Sequence, residues 1–307
     1  MKNLSKTLLI LSVIGLIGLV TSPTTTFAAT ISNDGQAVTD TSTQELMKKF
    51  PEFKKSLEKN TTGKLAYSKD MYVKYTQKPN SDIKRNYTTI SDTSKDFQIS
   101  TYTKQQYENE FKKEKLSNIQ SSALAVSKVT TSGIGKEEGG ITSWMQVKLQ
   151  VYYGKNGSDY MAYNFSHWLT VPKINFTDAI GISLSSGLIV SGDSSTRGAL
   201  YVHDDPYDPY GDTEVLPVTI NNKGNGVMAK FKLNSPFNGG AFTTYNDSMI
   251  QTGVVYNSPN LKNGRISGNY LHTQVSFGSI GMDINGVPSV GLNVTSDTCQ
   301  GSIFVSR

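Results

Sequence analysis

The densest group of side chains able to do chemistry is the run His203-Asp204-Asp205-Pro206-Tyr207-Asp208-Pro209-Tyr210-Gly211-Asp212, with Glu214 just beyond it. Asp204, Asp205, Asp208 and Asp212 bring four hard oxygen donors onto one segment. Such a set suits Ca²⁺, which accepts many oxygens in irregular geometry. The spacing is not that of an EF-hand loop. Two prolines and a glycine equally describe an exposed turn whose carboxylates are simply solvated. The three histidines, His167, His203 and His272, stand in no HExxH or other metal-ligand spacing. His167 continues the phase of Met161, Tyr163 and Phe165. Its imidazole is therefore predicted on the buried side of a strand, where it needs a hydrogen-bond partner. His272 falls on the opposite side from Leu271 and Val275 and is predicted to face solvent.

Nucleophilic and acid–base signatures are sparse. No G-x-S-x-G elbow is present, and Glu214 is the only Glu after residue 140, so paired glycosidase carboxylates would have to come from turn aspartates. A Ser-His-Asp set is defined by geometry and stays open at this level. One hydrolytic arrangement is open too, with Asp204, Asp205, Asp208 or Glu214 beside His203 in a cleft. The lone Cys299 can make no intramolecular disulfide, and its phase with Ile303 and Val305 predicts a buried, inert thiol. Trp144 and Trp168 border the first hairpin; exposed, they would stack on sugar rings as a ligand-binding pair, whereas buried they would be ordinary sandwich core. Leu216-Pro217-Val218-Thr219 reads as an edge strand interrupted by proline.

These residues must be positioned by strands. Val147, Leu149, Val151 and Tyr153 alternate with polar neighbours, and after the turn Gly154 to Asp159 the alternation resumes at Met161, Tyr163 and Phe165, which predicts a β-hairpin with one buried face. Similar runs occur at Val218 and Ile220, at Val227 to Leu233, at Leu271 to Phe277, at Ile280 to Ile284 and at Val290 to Val294. The intervening gaps are short and rich in Gly, Asn and Pro, which excludes crossover helices. The prediction is a mainly β protein, an antiparallel β-sandwich or distorted barrel of about nine to eleven strands over 141–307, preceded by a small α+β region.

The preceding region, 29–129, is different in kind. From Thr30 to Gly140 there are 18 basic and 14 acidic residues but 6 glycines; from Ile141 to Arg307 there are 10 and 11, with 19 glycines. The glycine-rich stretch 130–140 reads as a connector between two domains. Ser42 and Glu45 have capping-box spacing and predict a helix start. Pro51 must begin a second helix or kink the first. A further helix is predicted from Lys104 to about Ser122, with Thr103 as its cap and Tyr107, Phe111 and Leu116 on one face. Met71 to Tyr75 and Phe97 to Tyr102 read as short strands.

Lys2, Lys6 and the uncharged apolar run Leu8 to Val20 have the form of a secretory signal peptide, 1–28, cut after Ala28. That run is shorter than the roughly 20 residues a spanning helix requires, and no second such run follows, so no stable membrane span is expected in the mature chain. Without Lys2 and Lys6 the chain carries 28 basic against 25 acidic residues, a net of +3. So weak a field predicts no nucleic-acid partner.

The stretch Thr142-Ser143-Trp144-Met145, with Phe165, Trp168-Leu169, Pro172 and Asp178-Ala179-Ile180 further on, resembles a pattern in uncharacterised exported proteins of Gram-positive bacilli. The resemblance covers about 40 residues, implies a secreted bacterial origin and brings no site residues with it. Together these readings predict a secreted, non-enzymatic β-rich protein that binds an extracellular or cell-surface ligand. Two alternatives stand beside it: a secreted hydrolase acting on cell wall or polysaccharide, and a pore-forming toxin using strands such as Gly240 to Tyr256.

Overall fold

Phe50 and Pro51 divide the first helical segment in two. In the computed structural model, α1 runs Thr41–Lys49 and α2 Pro51–Asn60, with Pro51 in the first turn of the second helix, where its missing N–H costs nothing. The structure describes residues 41–77, 97–126, 142–155, 157–170, 177–185, 187–192, 195–203, 212–221, 223–233, 245–273, 280–282, 285–290 and 296–306. The connector 130–140, the leader 1–28 and the acidic run 204–211 lie outside these residues.

The strands follow in chain order: β1 Thr61–Gln77, β2 Phe97–Tyr102, then α3 Lys104–Val126, β3 Thr142–Gly154, β4 Tyr160–Trp168, β5 Thr177–Leu184, β6 Leu188–Val190, β7 Arg197–His203, β8 Asp212–Leu216, β9 Val218–Ile220, β10 Gly226–Lys232, β11 Tyr245–Tyr256, β12 Asn263–Thr273, β13 Ile280–Met282, β14 Pro288–Val290 and β15 Ser296–Ser306. They form an eight-stranded sheet in the order β2-β1-β3-β4-β11-β7-β8, with β6 also on β11, and a five-stranded sheet in the order β15-β12-β5-β10-β9. Every pairing is antiparallel. The protein is a mainly β, two-sheet sandwich, not a closed barrel, and β13–β14 make a separate two-stranded ribbon.

The interior between the sheets holds Val147, Leu149 and Val151 from β3, Ile180 and Ile182 from β5, Ile250 and Val254 from β11, and Ile266 and Tyr270 from β12, each at most 2% exposed. At about 25 cal/mol per Å² of apolar surface removed from water, this layer is the main source of cohesion. A polar side chain crosses it at its centre. Asn164 of β4 donates from Nδ2 to the carbonyls of Gly181 and Asn269, at 3.0 Å each, tying the two sheets together. Gly268 makes room for it, since a Cβ there would lie 2.4 Å from Asn164 Oδ1.

The central part of the outer face of the large sheet is also buried. Phe50 and Phe53 pack against Tyr163, Phe165 and Tyr201, with ring centroids 4.9–6.2 Å apart, in a second core that includes Met161 and Met249. The prediction of one buried face for the β3–β4 hairpin is thereby corrected. Lys148, Gln150 and Tyr152, on its polar side, are at most 5% exposed, and Gln150 donates to Thr43 Oγ1 of α1. The physical reason is the register: Lys148, Gln150 and Tyr152 lie opposite Phe165, Tyr163 and Met161, so the apolar residues of β3 and of β4 point to opposite faces, the first set between the sheets and the second under α1 and α2.

β1 and β2 belong to the same sheet as β3 and β4, with Tyr67 to Thr76 of β1 in continuous register against Val151 to Thr142. The change of composition near residue 140 therefore does not separate two sheets. In α3 the Thr103 cap is present: Gln106 N–H donates to Thr103 Oγ1 at 3.3 Å and Thr103 N–H to Gln106 Oε1 at 2.9 Å. Tyr107 stacks on Tyr72 at 4.5 Å, but Leu116 is 60% exposed. Counting four and then three residues on from Tyr107 keeps the helix face at Phe111 and Glu114, so Leu116 is rotated off it.

Candidate functional site

Three adjacent strands of the large sheet, β4, β11 and β7, bring His167, Asp247 and His203 together on the side covered by the helices. Asp247 lies directly opposite His167 in the β11–β4 register, and His203, opposite Tyr245 in the β11–β7 register, is its diagonal neighbour. Such cross-strand neighbours are close enough for side chains to meet. His167 Nδ1 is in short contact with Asp247 Oδ1, and His203 Nε2 lies 3.4 Å from Oδ2. The two imidazoles lie nearly parallel, 8° between planes and 6.5 Å between centroids. Lys49, the last residue of α1, adds its ammonium 2.6 Å from Asp247 Oδ2.

Asp247 is 2% exposed. Burial by itself pushes its carboxyl up; the charge and hydrogen bond of His167, the hydrogen bond of His203 and the charge of Lys49 more than offset it and hold the group well below the usual carboxylate range. Asp247 is therefore an anion in the folded protein. Buried anions require partners of this kind, because the desolvation of an isolated charge is prohibitive.

A second buried acid sits between the sheets. Asp178 of β5 meets His272 Nδ1 at 2.9 and 3.1 Å and accepts a short hydrogen bond from the Tyr270 hydroxyl, which itself accepts from Trp168 Nε1 at 3.1 Å. The rings of Tyr75 and Trp168 each lie 5.3 Å from the His272 ring, edge to face. The prediction that His272 faces solvent is corrected: it is 5% exposed. The phase opposite Leu271 is right, but the side opposite Leu271 is the sandwich interior, while Leu271 packs in a small cluster with Ala179, Met228 and Met282.

The two tryptophans are likewise not exposed stacking surfaces. Trp144 and Trp168 are each 1% exposed. Trp144 lies under α3, its indole N–H donating to Glu114 at 2.9 Å and its ring 5.0 Å from that of Tyr107; Trp168 belongs to the intersheet core. Large rings at these positions bury more apolar area than any smaller residue, which is why core wins over rim. Of the proposed Ca²⁺ ligands, Asp204, Asp205 and Asp208 lie outside the described residues, and Asp212 is exposed at the start of β8. The side chain of Cys299 is also outside them. His167 does carry the phase predicted for it and has the partner it requires. The sequence reading missed Asp247, Asp178, Tyr270 and Lys49. Asp247 leaves one trace: it shares the period-two phase of Tyr245, Met249 and Gln251, an acid on an otherwise covered face.

The third feature is a groove where the chain changes sheets. β8 ends the large sheet at Leu216, Pro217 follows, and β9 begins the edge of the small sheet. Between these edges lies an open cavity of about 650 Å³ lined by Thr196, Arg197, Val215, Leu216, Val218 and Ile220. Asp212, Thr213, Glu214 and Val215 are all exposed, Val215 to 69%.

The chain matches no protein-family model and no curated protein sequence. Solved structures overlap it in part. The collagen-binding subdomain of the Enterococcus faecalis surface protein ACE is 9% identical, with a TM-score of 0.28 over 50% of this chain and 90% of that one. The collagen-binding domain from a Staphylococcus aureus adhesin is 10% identical, with a TM-score of 0.25 over 46% and 86%. A pore forming protein is 10% identical, with a TM-score of 0.24 over 57% and 96%. Overlaps of this size assign no function. In this protein β11, the strand considered above for pore formation, is buried in mid-sheet between β4 and β7, with Met249, Ile250 and Val254 at 0% exposure. Among the described residues no helix is long and apolar enough to cross a membrane.

Proposed function

We propose that this is a secreted binding protein that takes up an extended polypeptide segment along β8, at the corner where the two sheets part. The observation that carries the reading is the groove beside two edge strands, with Val215 presented to solvent at its rim. An edge strand has one row of backbone N–H and C=O groups directed away from its sheet, and an extended peptide can complete that row. Asp212 and Glu214 alternate with Thr213 and Val215 along β8. The partner strand should therefore carry basic residues on one side and apolar residues on the other. The leader at 1–28, read as a secretory signal peptide, supports an extracellular setting for the encounter. Acids on an edge also discourage self-association, so the same residues would select against a second copy of this chain.

The test is selection of displayed random dodecamer peptides on the intact mature protein, followed by calorimetry with the enriched sequences. Enriched peptides should alternate basic and apolar residues. Val215→Lys should weaken them by about tenfold or more. Phe304→Lys, on the far edge strand β15 and also exposed, should not. Absence of enrichment, or equal affinity for the Val215→Lys variant, defeats the proposal.

A further inference from the structure

We propose that His167, His203 and Asp247 bind a divalent transition-metal ion of the zinc type, with the Lys49 ammonium as the competing cation in the metal-free protein. Each residue offers one ligand atom, and these atoms all lie within 4.8 Å of one another. Ligands around a tetrahedral zinc stand roughly 3.4 Å apart, because each bond is about 2.0–2.2 Å. The 3.4 Å between His203 Nε2 and Asp247 Oδ2 already has that value. Two imidazoles and one carboxylate form a mixed nitrogen and oxygen set, which suits zinc and its first-row neighbours better than Ca²⁺ or Mg²⁺, whose sites are built from oxygens.

The scaffold is suited to hold such a set. The three ligands come from three hydrogen-bonded strands in the middle of a sheet, so their spacing is fixed by the ladder and not by a loop. Asp247 and His203 are each 2% exposed, whereas the His167 side chain is 23% exposed and gives the site its side open to water. A cation is already held here, since Lys49 presents its ammonium to Asp247 Oδ2. A metal would take that place. The Lys49 side chain, 17% exposed, would turn outward, and His167 would bind through Nδ1 with its ring proton carried on Nε2. Three protein ligands leave a further position for water or for a group from a partner.

The experiment is titration of untagged, metal-free mature protein with Co²⁺ followed by visible absorption, and with Zn²⁺ followed by calorimetry. One equivalent should bind, and Co²⁺ should give the intense visible bands of a low-coordinate site. Lys49→Met removes the competitor and should tighten binding by about tenfold. His167→Gln, at the partly exposed ligand, should abolish the bands while the protein still melts cooperatively. Saturable binding that is unchanged in His167→Gln, or no binding by either the native protein or Lys49→Met, overturns the assignment. The result is independent of peptide binding at β8, so the two proposals stand or fall separately.

Discussion

Among the described residues two aspartates are buried, Asp178 and Asp247, each beside a histidine and in two different layers. Asp178 lies between the sheets, where Tyr270 and His272 satisfy it and the rings of Tyr75 and Trp168 close around the histidine. Asp247 lies between a sheet and its covering helices, surrounded by His167, His203 and Lys49, with His167 reaching water. The first is a closed knot that joins strands β5 and β12 to the aromatic core. The second is a socket at the margin of a layer, lined by two imidazoles and the Lys49 ammonium. The difference shows that burial of an acid does not define its role: what matters is whether its partners can exchange with solvent.

Breaking the closed knot should have the largest effect. His272→Ala leaves Asp178 with a lost partner in a dry interior, and urea unfolding should show a loss of about 3–5 kcal/mol. If the variant unfolds with native stability, the Asp178 knot is not closed. Lys49→Met should cost less, about 2 kcal/mol, because the imidazoles of His167 and His203 remain beside Asp247 and water can reach the vacated position. A loss as large as that for His272→Ala would erase the distinction between the two layers.

Tyr163 sharpens the comparison on the helix side. Burial pushes its phenol up from the ordinary 10.0, against a smaller opposing effect of the hydrogen bond with Ser56, so the folded state holds the proton more tightly than the unfolded chain. Its contribution is fully present below pH 10 and is lost as pH rises from there toward the folded value. Tyr163→Phe should lower stability by about 1 kcal/mol near neutrality and make the decline in urea midpoint between pH 9 and about 11.5 shallower. An unchanged slope would remove Tyr163 from the alkaline transition. The smallest effect is expected for Glu52→Gln, which removes the exposed pair with Lys55 and the acid in the first turn of α2; stability should change by less than about 0.5–1 kcal/mol.

Local chemistry made much of the fold legible. The Thr103 cap, the break at Pro51, β2 from Phe97 to Tyr102 and the β3–β4 hairpin are all written in neighbouring residues, whose backbone preferences act over a few positions. The candidate sites were much less legible. His167 announced its need for a partner through its phase, but the partner lies 80 residues away at Asp247, and Lys49 is 198 residues from Asp247. Trp144 and Trp168 read equally well as rim or core, since alternation tells only that successive side chains point to opposite faces.

By itself the amino-acid sequence determined the helices, the strands β2, β3, β4, β9 and β10 and the antiparallel character of the β region, but not β5, β6, β7 or the full length of β1, because turn chemistry and period-two alternation are local properties. Only the tertiary structure decided that β11 sits between β4 and β7, that α1 and α2 cover the outer face, and that the side of β12 opposite Leu271 is the dry one. The reason is that alternation separates two faces without saying what covers either. The lateral order of strands, which gathers His167, His203 and Asp247, depends on side chains distant in the chain packing against one another.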